Sequence, residues 1–184
     1  RELEPPTGCV LVTDPPYGVN LGDADQRADG HGLAKGAYSS YPDTYESFIS
    51  VVVPIVRVYV AAATRGAVFS GPHLQELPKA SAVGGVYCPA GSGRHPWGFK
   101  CFLPVLFYGT DPLLHRGARP NVIASTETAQ RNGHPCPKPD GWMRWLVDLT
   151  SLSNEIVVDP FCGSGPIFPA AQEESLLAAG AIVP

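Results

Sequence analysis

Short apolar runs that stop at an aspartate–proline pair are the clearest pattern along the chain. Residues 9–13 and 156–158 form two such runs, which end at Asp14-Pro15 and at Asp159-Pro160. Short runs rich in β-branched residues favour buried strands, and a following proline cannot continue the hydrogen-bond ladder. Residues 66–70 predict a third strand, and two further strands are predicted over residues 83–88 and 99–108.

A helical pattern begins after residue 42. Asp43 and Glu46 have the spacing of a capping box, which predicts a helix that begins there. Pro54 should kink or end this helix, because its ring has no N–H to donate. The apolar positions on one face of the predicted helix are Phe48, Ile49, Val52 and Val53.

The last third of the chain predicts two more helices. Asp140 is the expected N-cap of the first, and the second is expected near residues 170–179. The first helix has one apolar stripe, formed by Trp142, Trp145, Leu146 and Leu149. Strands that alternate with helices predict an α/β fold with a doubly wound, mostly parallel sheet, in which residues 10–13 and 156–158 are adjacent central strands.

Composition limits the class of protein. A length of 184 residues suits one domain with a single core, so we expect residues 1–184 to form one domain. The five cysteines are odd in number and lack C-x-x-C spacing, which predicts no metal site, no disulfide framework and a reducing cytoplasm. No run of about 18 apolar residues is present, so no transmembrane helix and no membrane association are expected.

Charge argues only weakly against a nucleic-acid partner. The net charge is −4, but a basic stripe can lie on an acidic protein. Residues 113–133 are such a segment, with Glu127 as their single acid. Their basic side chains are His115, Arg116, Arg119 and Arg131. A surface that contacts DNA and an ordinary solvated loop are both open interpretations of this segment.

The segment Asp14-Pro15-Pro16-Tyr17 combines an acceptor, two stiff residues and a ring. At the end of a strand, such an edge holds a carboxylate, a backbone carbonyl and an aromatic face together. It could accept both hydrogens of an –NH₂ group and stack on the ring that carries the group. The alternative is an ordinary proline turn with a packing tyrosine.

Two other segments carry candidate chemistry. Residues 159–165 place Gly163 and Gly165 between a strand and a helix, where backbone can approach a ligand and helix N–H groups are free. Such a turn is also common as a purely structural feature. Residues 134–139 contain three prolines and Lys138, so they form a stiff segment with one fixed cation or, alternatively, a linker.

Together the three segments resemble the amino-methyltransferases of DNA, the N6-adenine and N4-cytosine family. The family's target-amine motif, [DNS]-P-P-[YFW], matches residues 14–17, and its D-P-F-x-G-S-G cofactor motif matches residues 159–165. Its H-P-x-x-K-P segment matches residues 134–139. The amine motif comes first and the cofactor motif last, as in the permuted β-type members. The resemblance implies a Rossmann-like methyltransferase fold.

The family's functional residues carry over by position. The resemblance implies that Asp14, Pro15, Pro16 and Tyr17 form the catalytic edge, which would receive a base turned out of the duplex. S-adenosylmethionine is the implied cofactor. Its implied binding residues are Asp14, Lys138, Pro139, Asp159, Phe161, Cys162, Gly163, Ser164 and Gly165. No cysteine needs a nucleophilic role, because the methyl group is transferred by direct displacement.

The resemblance also implies a partner, a substrate and a setting. The partner is DNA, with Arg116, Arg119, Arg131 and the loop 18–42 as candidate contacts, and a homodimer stays open. Adenine N6 is favoured over cytosine N4, because the motif begins with Asp14 rather than with serine. The implied setting is site-specific methylation, as in restriction–modification, in the cytoplasm of a bacterial or phage-infected cell.

The chain departs from the family pattern after Gly165. Residues 166–169 are Pro-Ile-Phe-Pro instead of threonines and small residues, which the first turn of a helix tolerates. The acid that ends the family's second strand is missing after the only candidate strand, residues 181–183. The cofactor half is therefore expected to be truncated. This leaves a catalytically impaired nucleic-acid-binding module and an unrelated nucleotide-binding α/β protein as alternatives.

Overall fold

In the computed structural model of the chain, which describes residues 4–20, 42–91, 94–129, 137–163, 165 and 167–175, eight strands and three long helices are present. The strands are β1 Val10–Thr13, β2 Arg65–Phe69, β3 Ala82–Tyr87, β4 Arg94–His95, β5 Gly98–Phe99, β6 Phe102–Tyr108, β7 Val122–Ala124 and β8 Val157–Val158. The helices are α1 Tyr45–Ala62, α2 Asp140–Thr150 and α3 Ile167–Ser175. A 3₁₀ turn covers Leu114–Arg116.

Six of the strands form one sheet in the order β7-β3-β6-β2-β1-β8, while β4 and β5 pair as a separate hairpin. Strand β1 pairs in parallel with β2 and with β8, and β3 pairs in parallel with β7. Strand β6 is antiparallel to both β2 and β3. The strands other than β6 therefore all end at the same side of this sheet. We call that side the carboxyl edge and the opposite side the amino edge.

The predicted α/β class and the adjacency of β1 and β8 are confirmed, with Val10 opposite Val157. The position of β8 differs from the prediction. Within the described residues β8 is an edge strand, because no described strand pairs with its other side. The candidate strand at residues 181–183 lies outside the described residues.

The core lies on both faces of the sheet, as a doubly wound fold requires. In β1, Val10 and Val12 point to one face and Leu11 to the other, because side chains alternate along a strand. Helices α2 and α3 cover the first face, mainly through Trp142, Met143, Leu146, Val147, Ile167 and Ala170. Helix α1 covers the second face, mainly through Phe48, Val52, Val53 and Val56.

The start of α1 differs from the predicted capping box. Thr44 is the N-cap and accepts a hydrogen bond from the Ser47 amide at 3.2 Å, whereas Asp43 is buried and bonds elsewhere. Pro54 does not end the helix. Instead, one wider π-helical turn, Phe48–Val52, precedes it. Such a turn accommodates a residue that cannot donate to the carbonyl four positions earlier.

Helix α1 is the one described helix that is long and apolar enough to cross a membrane, with a mean hydropathy of 1.5. No such segment was expected from the sequence, because it contains no run of about 18 apolar residues. Length and composition alone are weak evidence for a membrane span, and one face of α1 packs on Leu11 and Val68 of the sheet while most of the helix is not buried.

Helix α2 forms as predicted, but its cap differs. Pro139 is the N-cap and Asp140 lies inside the first turn. The Gly141 amide donates to the Glu127 carboxylate at 3.2 Å, so a residue from a distant loop caps the helix. Helix α3 begins at Ile167, three residues before the predicted start.

Candidate active site

The carboxyl edge brings the two predicted aspartates together. Asp14 directly follows β1 and Asp159 directly follows β8, and these strands are parallel neighbours. The Thr13 hydroxyl, at the end of β1, donates to the Asp159 carboxylate. The ligand sites of open α/β sheets lie at this edge. The prediction that Asp14 and Asp159 share one end of the sheet is therefore confirmed.

The Asp14 carboxylate is bound on both oxygens. Its Oδ2 accepts from Lys138 Nζ at 2.5 Å, and its Oδ1 accepts from the Tyr17 hydroxyl. Lys138 is only 6% exposed, although it comes from the segment before α2, 124 residues away. A buried ammonium needs such a partner, because the cost of removing an isolated charge from water is several kcal/mol (~3–5 when a buried pair is broken).

Two aromatic rings lie beside this ion pair. Lys138 Nζ is 5.3 Å from the ring centroids of both Tyr17 and Phe69, within the range of about 6 Å for a cation–π interaction. Pro15 is buried and Pro16 is half-buried, so the two prolines fix the path of the chain between Asp14 and Tyr17. The four residues of the motif thus form one rigid unit at the carboxyl edge.

Gly71 determines where the Tyr17 ring lies. Gly71 has φ +57°, and a Cβ added there would be 2.6 Å from the Tyr17 ring. The ring therefore packs against bare backbone in the turn that follows β2. The role of Gly71 was not predicted from the sequence. The available signal was the Gly71-Pro72 pair directly after a predicted strand, but that pair also occurs in ordinary turns.

Asp43 holds the chain immediately after Tyr17. Its Oδ1 accepts from the Gly18 amide at 2.7 Å, and its backbone carbonyl accepts from the Asn20 amide at 2.7 Å. Gly18 has φ +67°, and a Cβ there would be 2.7 Å from the Phe48 Cβ. Asp43 was interpreted as a helix cap from sequence, so this role was also missed.

The predicted cofactor loop contains two left-handed glycines. Gly163 has φ +50° and Gly165 has φ +77°, a conformation that other residues rarely adopt. The Gly165 amide donates to the Cys162 carbonyl at 2.6 Å, and the Phe161 amide donates to Asp159 Oδ1 at 2.9 Å. Ser164 lies outside the described residues.

Comparisons with known proteins give the same family as these motifs. A family model of N6- and N4-specific DNA methylases matches residues 97–181. The solved M1.HpyAVI–SAM complex has a TM-score of 0.55 at 16% identity, over 95% of this chain and 82% of its own. The PvuII cytosine-N4-specific DNA methyltransferase has a TM-score of 0.61 at 14% identity, over 97% and 76%. No curated protein sequence matches significantly.

Over residues 97–181, the chain is similar to the amino-methyltransferases of DNA. Its fold is the α/β Rossmann-like methyltransferase fold, and the similarities support S-adenosylmethionine as the cofactor. At this level of sequence identity, the solved structures support the fold alone, and the family model covers the part of the chain that contains the cofactor motif. The family model and the fold together support a DNA N-methyltransferase.

The chemistry of the loop fits a cationic cofactor. Burial raises the pKa of the Asp159 carboxyl to about 6, although hydrogen bonds from Thr13 and from the Phe161 amide act in the opposite direction. The nearby charge of Asp14 adds to the increase. An ionised carboxylate beside the exposed backbone of Gly163 would suit the sulfonium and ammonium groups of S-adenosylmethionine. Of the other predicted cofactor residues, Phe161 and Cys162 are half-buried and Pro139 is buried.

The predicted DNA contacts are not brought together at the carboxyl edge. Arg119 lies toward the amino edge, where it binds Asp111 and donates to the carbonyls of Asp148 and Leu149 at 2.6 and 2.7 Å. These contacts give Arg119 a structural role. Arg116 is exposed in the 3₁₀ turn. Arg131 and residues 21–41 of the predicted DNA loop lie outside the described residues.

Proposed function

We propose that this methyltransferase methylates the N6 amine of adenine in DNA, at specific sites, and that residues 1–184 act as one catalytic domain. The observation that carries the proposal is the Asp14 carboxylate at the carboxyl edge, fixed between Lys138 and Tyr17. A base in a duplex is out of reach of such a site, so the target nucleotide must turn out of the stack.

Asp14 and the Pro15 carbonyl are proposed to accept the two hydrogens of the target amine. The lone pair of an aromatic amine is delocalised into its ring, which makes the nitrogen a poor nucleophile. Two hydrogen bonds from the amine to fixed acceptors favour a tetrahedral nitrogen whose lone pair is available. A carboxylate has about four acceptor positions, so the contacts from Lys138 and Tyr17 leave Asp14 acceptor capacity. Most of the rate gain would be positioning and electrostatics.

Tyr17 is proposed to stack on the turned-out base through its ring. Lys138 is a positioning residue in this scheme, because its ammonium binds and orients the Asp14 carboxylate. When bound, S-adenosylmethionine supplies an electrophilic methyl group. The residues proposed to hold it are Asp14, Lys138, Pro139, Asp159, Phe161, Cys162, Gly163, Ser164 and Gly165.

The choice of adenine rests on the first residue of the amine motif. The first residue of the motif is Asp14, whereas some members of the family it resembles have serine there. In that family, aspartate at this position favours adenine as the target base. Cytosine N4 is the alternative, because the exocyclic amine of cytosine presents the same two hydrogens. The likeness to a cytosine-N4-specific enzyme supports the fold and does not bear on the base.

Product analysis tests the proposal. The purified chain is incubated with S-adenosylmethionine and unmethylated plasmid DNA, the DNA is digested to nucleosides, and the products are separated by mass spectrometry. We expect N6-methyladenine from the wild type and none from Asp14→Ala. N4-methylcytosine alone would refute the choice of base. No methylated nucleoside at all, from a chain that binds S-adenosylmethionine, would refute turnover and favour a binding module.

A further inference from the structure

A small hairpin projects from the carboxyl edge beside the site. Strands β3 and β6 are antiparallel neighbours, and Tyr87, the last residue of β3, pairs with Phe102, the first of β6. The Cys88 amide donates to the Cys101 carbonyl at 2.7 Å, which extends this pairing by one residue. The chain between them contains β4 and β5, which pair with each other.

The register shows which way the hairpin points. Phe69, at the carboxyl end of β2, pairs with Val105, so β6 extends three residues beyond that position toward the carboxyl edge. The hairpin therefore leaves the sheet on the side of Asp14. Strand β6 is two strands from β1 and β3 is three, which corresponds to about 10–15 Å across the sheet. The hairpin therefore lies about one major-groove width of DNA, about 12 Å, from the strand that carries Asp14.

The tip of the hairpin exposes large aromatic rings. Trp97 is 93% exposed and Phe99 is 69% exposed, more than any other large apolar residue described. Trp97 lies between the two strands of a tight hairpin, in which His95 pairs with Gly98. The core does not need these rings, since neither packs in the two core clusters. Two large exposed rings on one short hairpin make it a candidate interaction site.

The charge of the segment suits an anionic partner. Residues 91–101 contain Arg94, Lys100 and His95 and no acidic residue, whereas the whole chain has a net charge of −4. Aromatic rings that are interspersed with cations are typical of surfaces that bind nucleic acid, where bases stack on the rings and phosphates attract the cations. A phosphate backbone is the anion that the proposed reaction brings to this edge.

We propose that the hairpin formed by β4 and β5 is a DNA-binding element in which Trp97 stacks on bases that become unpaired beside the target nucleotide. The proposal rests on the proposed function, because that function places DNA at the carboxyl edge. It concerns a segment that lies apart from the amine motif, the cofactor loop and the basic segment 113–133. Trp97 is thus a positioning residue for the DNA.

Binding of two labelled 30-base-pair duplexes tests the role of Trp97. One duplex is fully paired and the other has three central unpaired positions, and dissociation constants are measured by fluorescence anisotropy at low ionic strength. We expect Trp97→Ala to weaken binding of the unpaired duplex about tenfold and of the paired duplex less than about threefold, as loss of one stacking contact predicts. Trp97→Phe should retain most of the affinity, because a ring face remains.

Val58→Ala is the matched control, since Val58 is 54% exposed on α1, outside the hairpin. This variant should bind both duplexes like the wild type. Acrylamide quenching of tryptophan fluorescence gives a second measurement. Trp142 is buried and Trp145 is half-buried, so the readily quenched emission should come from Trp97. The unpaired duplex should protect that emission.

Unchanged affinity of Trp97→Ala for the unpaired duplex, or an equal loss on both duplexes, would overturn the proposal. So would a wild-type dimer that Trp97→Ala dissociates without any effect on DNA, which would assign the hairpin to protein contact. These outcomes differ from failure of the proposed function. If the proposed function fails, the wild type yields no methylated base. The contribution of Trp97 to DNA binding is measured separately by the anisotropy assay.

Discussion

The two edges of the sheet use the same kind of ion pair for different purposes. At the carboxyl edge, Lys138 binds Asp14 and lies near the rings of Tyr17 and Phe69. Toward the amino edge, Arg119 binds Asp111 and Arg65 binds Glu155. The side chains of the three ion pairs have similar solvent exposure. Exposure alone therefore does not distinguish a functional ion pair from a structural one.

The additional hydrogen bonds of each cation distinguish the structural ion pairs from the functional one. Arg65 donates to the Thr150 carbonyl at 2.6 Å, and Arg119 donates to the carbonyls of Asp148 and Leu149. These carbonyls end α2, where a helix lacks internal donors and carries partial negative charge. The two arginines therefore stabilise the end of a helix. Lys138 instead fixes an acceptor at the ligand edge. Substitutions should consequently affect activity at one edge and stability at the other.

The largest effect is expected for Lys138→Met. Asp14 would lose the cation that binds and orients its carboxylate, so methyl transfer should fall by about a hundredfold or more, the usual cost of removing a preorganised electrostatic contact. Methyl incorporation from labelled S-adenosylmethionine measures this loss, with circular dichroism to confirm folding. A folded Lys138→Met protein with activity within about threefold of the wild type would show that this pair is structural too.

A smaller effect is expected at Tyr17. Tyr17→Ala should raise the KM for DNA about tenfold, because one base-stacking contact is worth about 1–3 kcal/mol. Tyr17→Phe should change it little, since it keeps the ring and loses only the hydroxyl contact to Asp14. Steady-state kinetics on plasmid DNA compares the two variants. Equal losses in both would instead assign the function to the hydroxyl.

Cofactor affinity should depend on pH through Asp159. Its pKa of about 6 is raised by burial, so the ionised form destabilises the fold above pH 6, and protonation relieves that cost as the pH falls. A cationic cofactor needs the ionised form. The affinity for S-adenosylmethionine should thus fall up to about tenfold per pH unit below pH 6 and level off above it. Calorimetry from pH 5 to 8 measures this, and Asp159→Asn should remove the dependence.

The smallest effect on activity is expected toward the amino edge. Arg119→Ala leaves two helix-end carbonyls and Asp111 without this donor, so the free energy of unfolding should fall by about 1–3 kcal/mol. Activity per folded molecule should not change. Urea denaturation gives the first quantity and methyl incorporation the second. A stable Arg119→Ala protein with weakened DNA affinity would restore Arg119 as a DNA contact.

Local patterns made the strands and the two aspartates predictable. The apolar runs end at Asp14 and Asp159 in the sequence, and parallel strands bring such ends to one edge. The roles of Asp43 and Arg119 were not predictable, because their partners are distant in sequence. Asp43 has the spacing of a capping box, but the Gly18 amide, 25 residues earlier, competes for its carboxylate. Gly71 is recognisable only once Tyr17 packs on it.

Paired substitutions, Asp14→Ala and Asp111→Ala, test the central claim most directly. Each removes a half-buried aspartate from an ion pair, one at each edge. Methyl transfer per folded molecule and the free energy of unfolding are measured for both. We expect Asp14→Ala to lose methyl transfer by at least about a hundredfold, whereas Asp111→Ala should lose stability and keep its activity. A merely destabilised but fully active Asp14→Ala protein would contradict it.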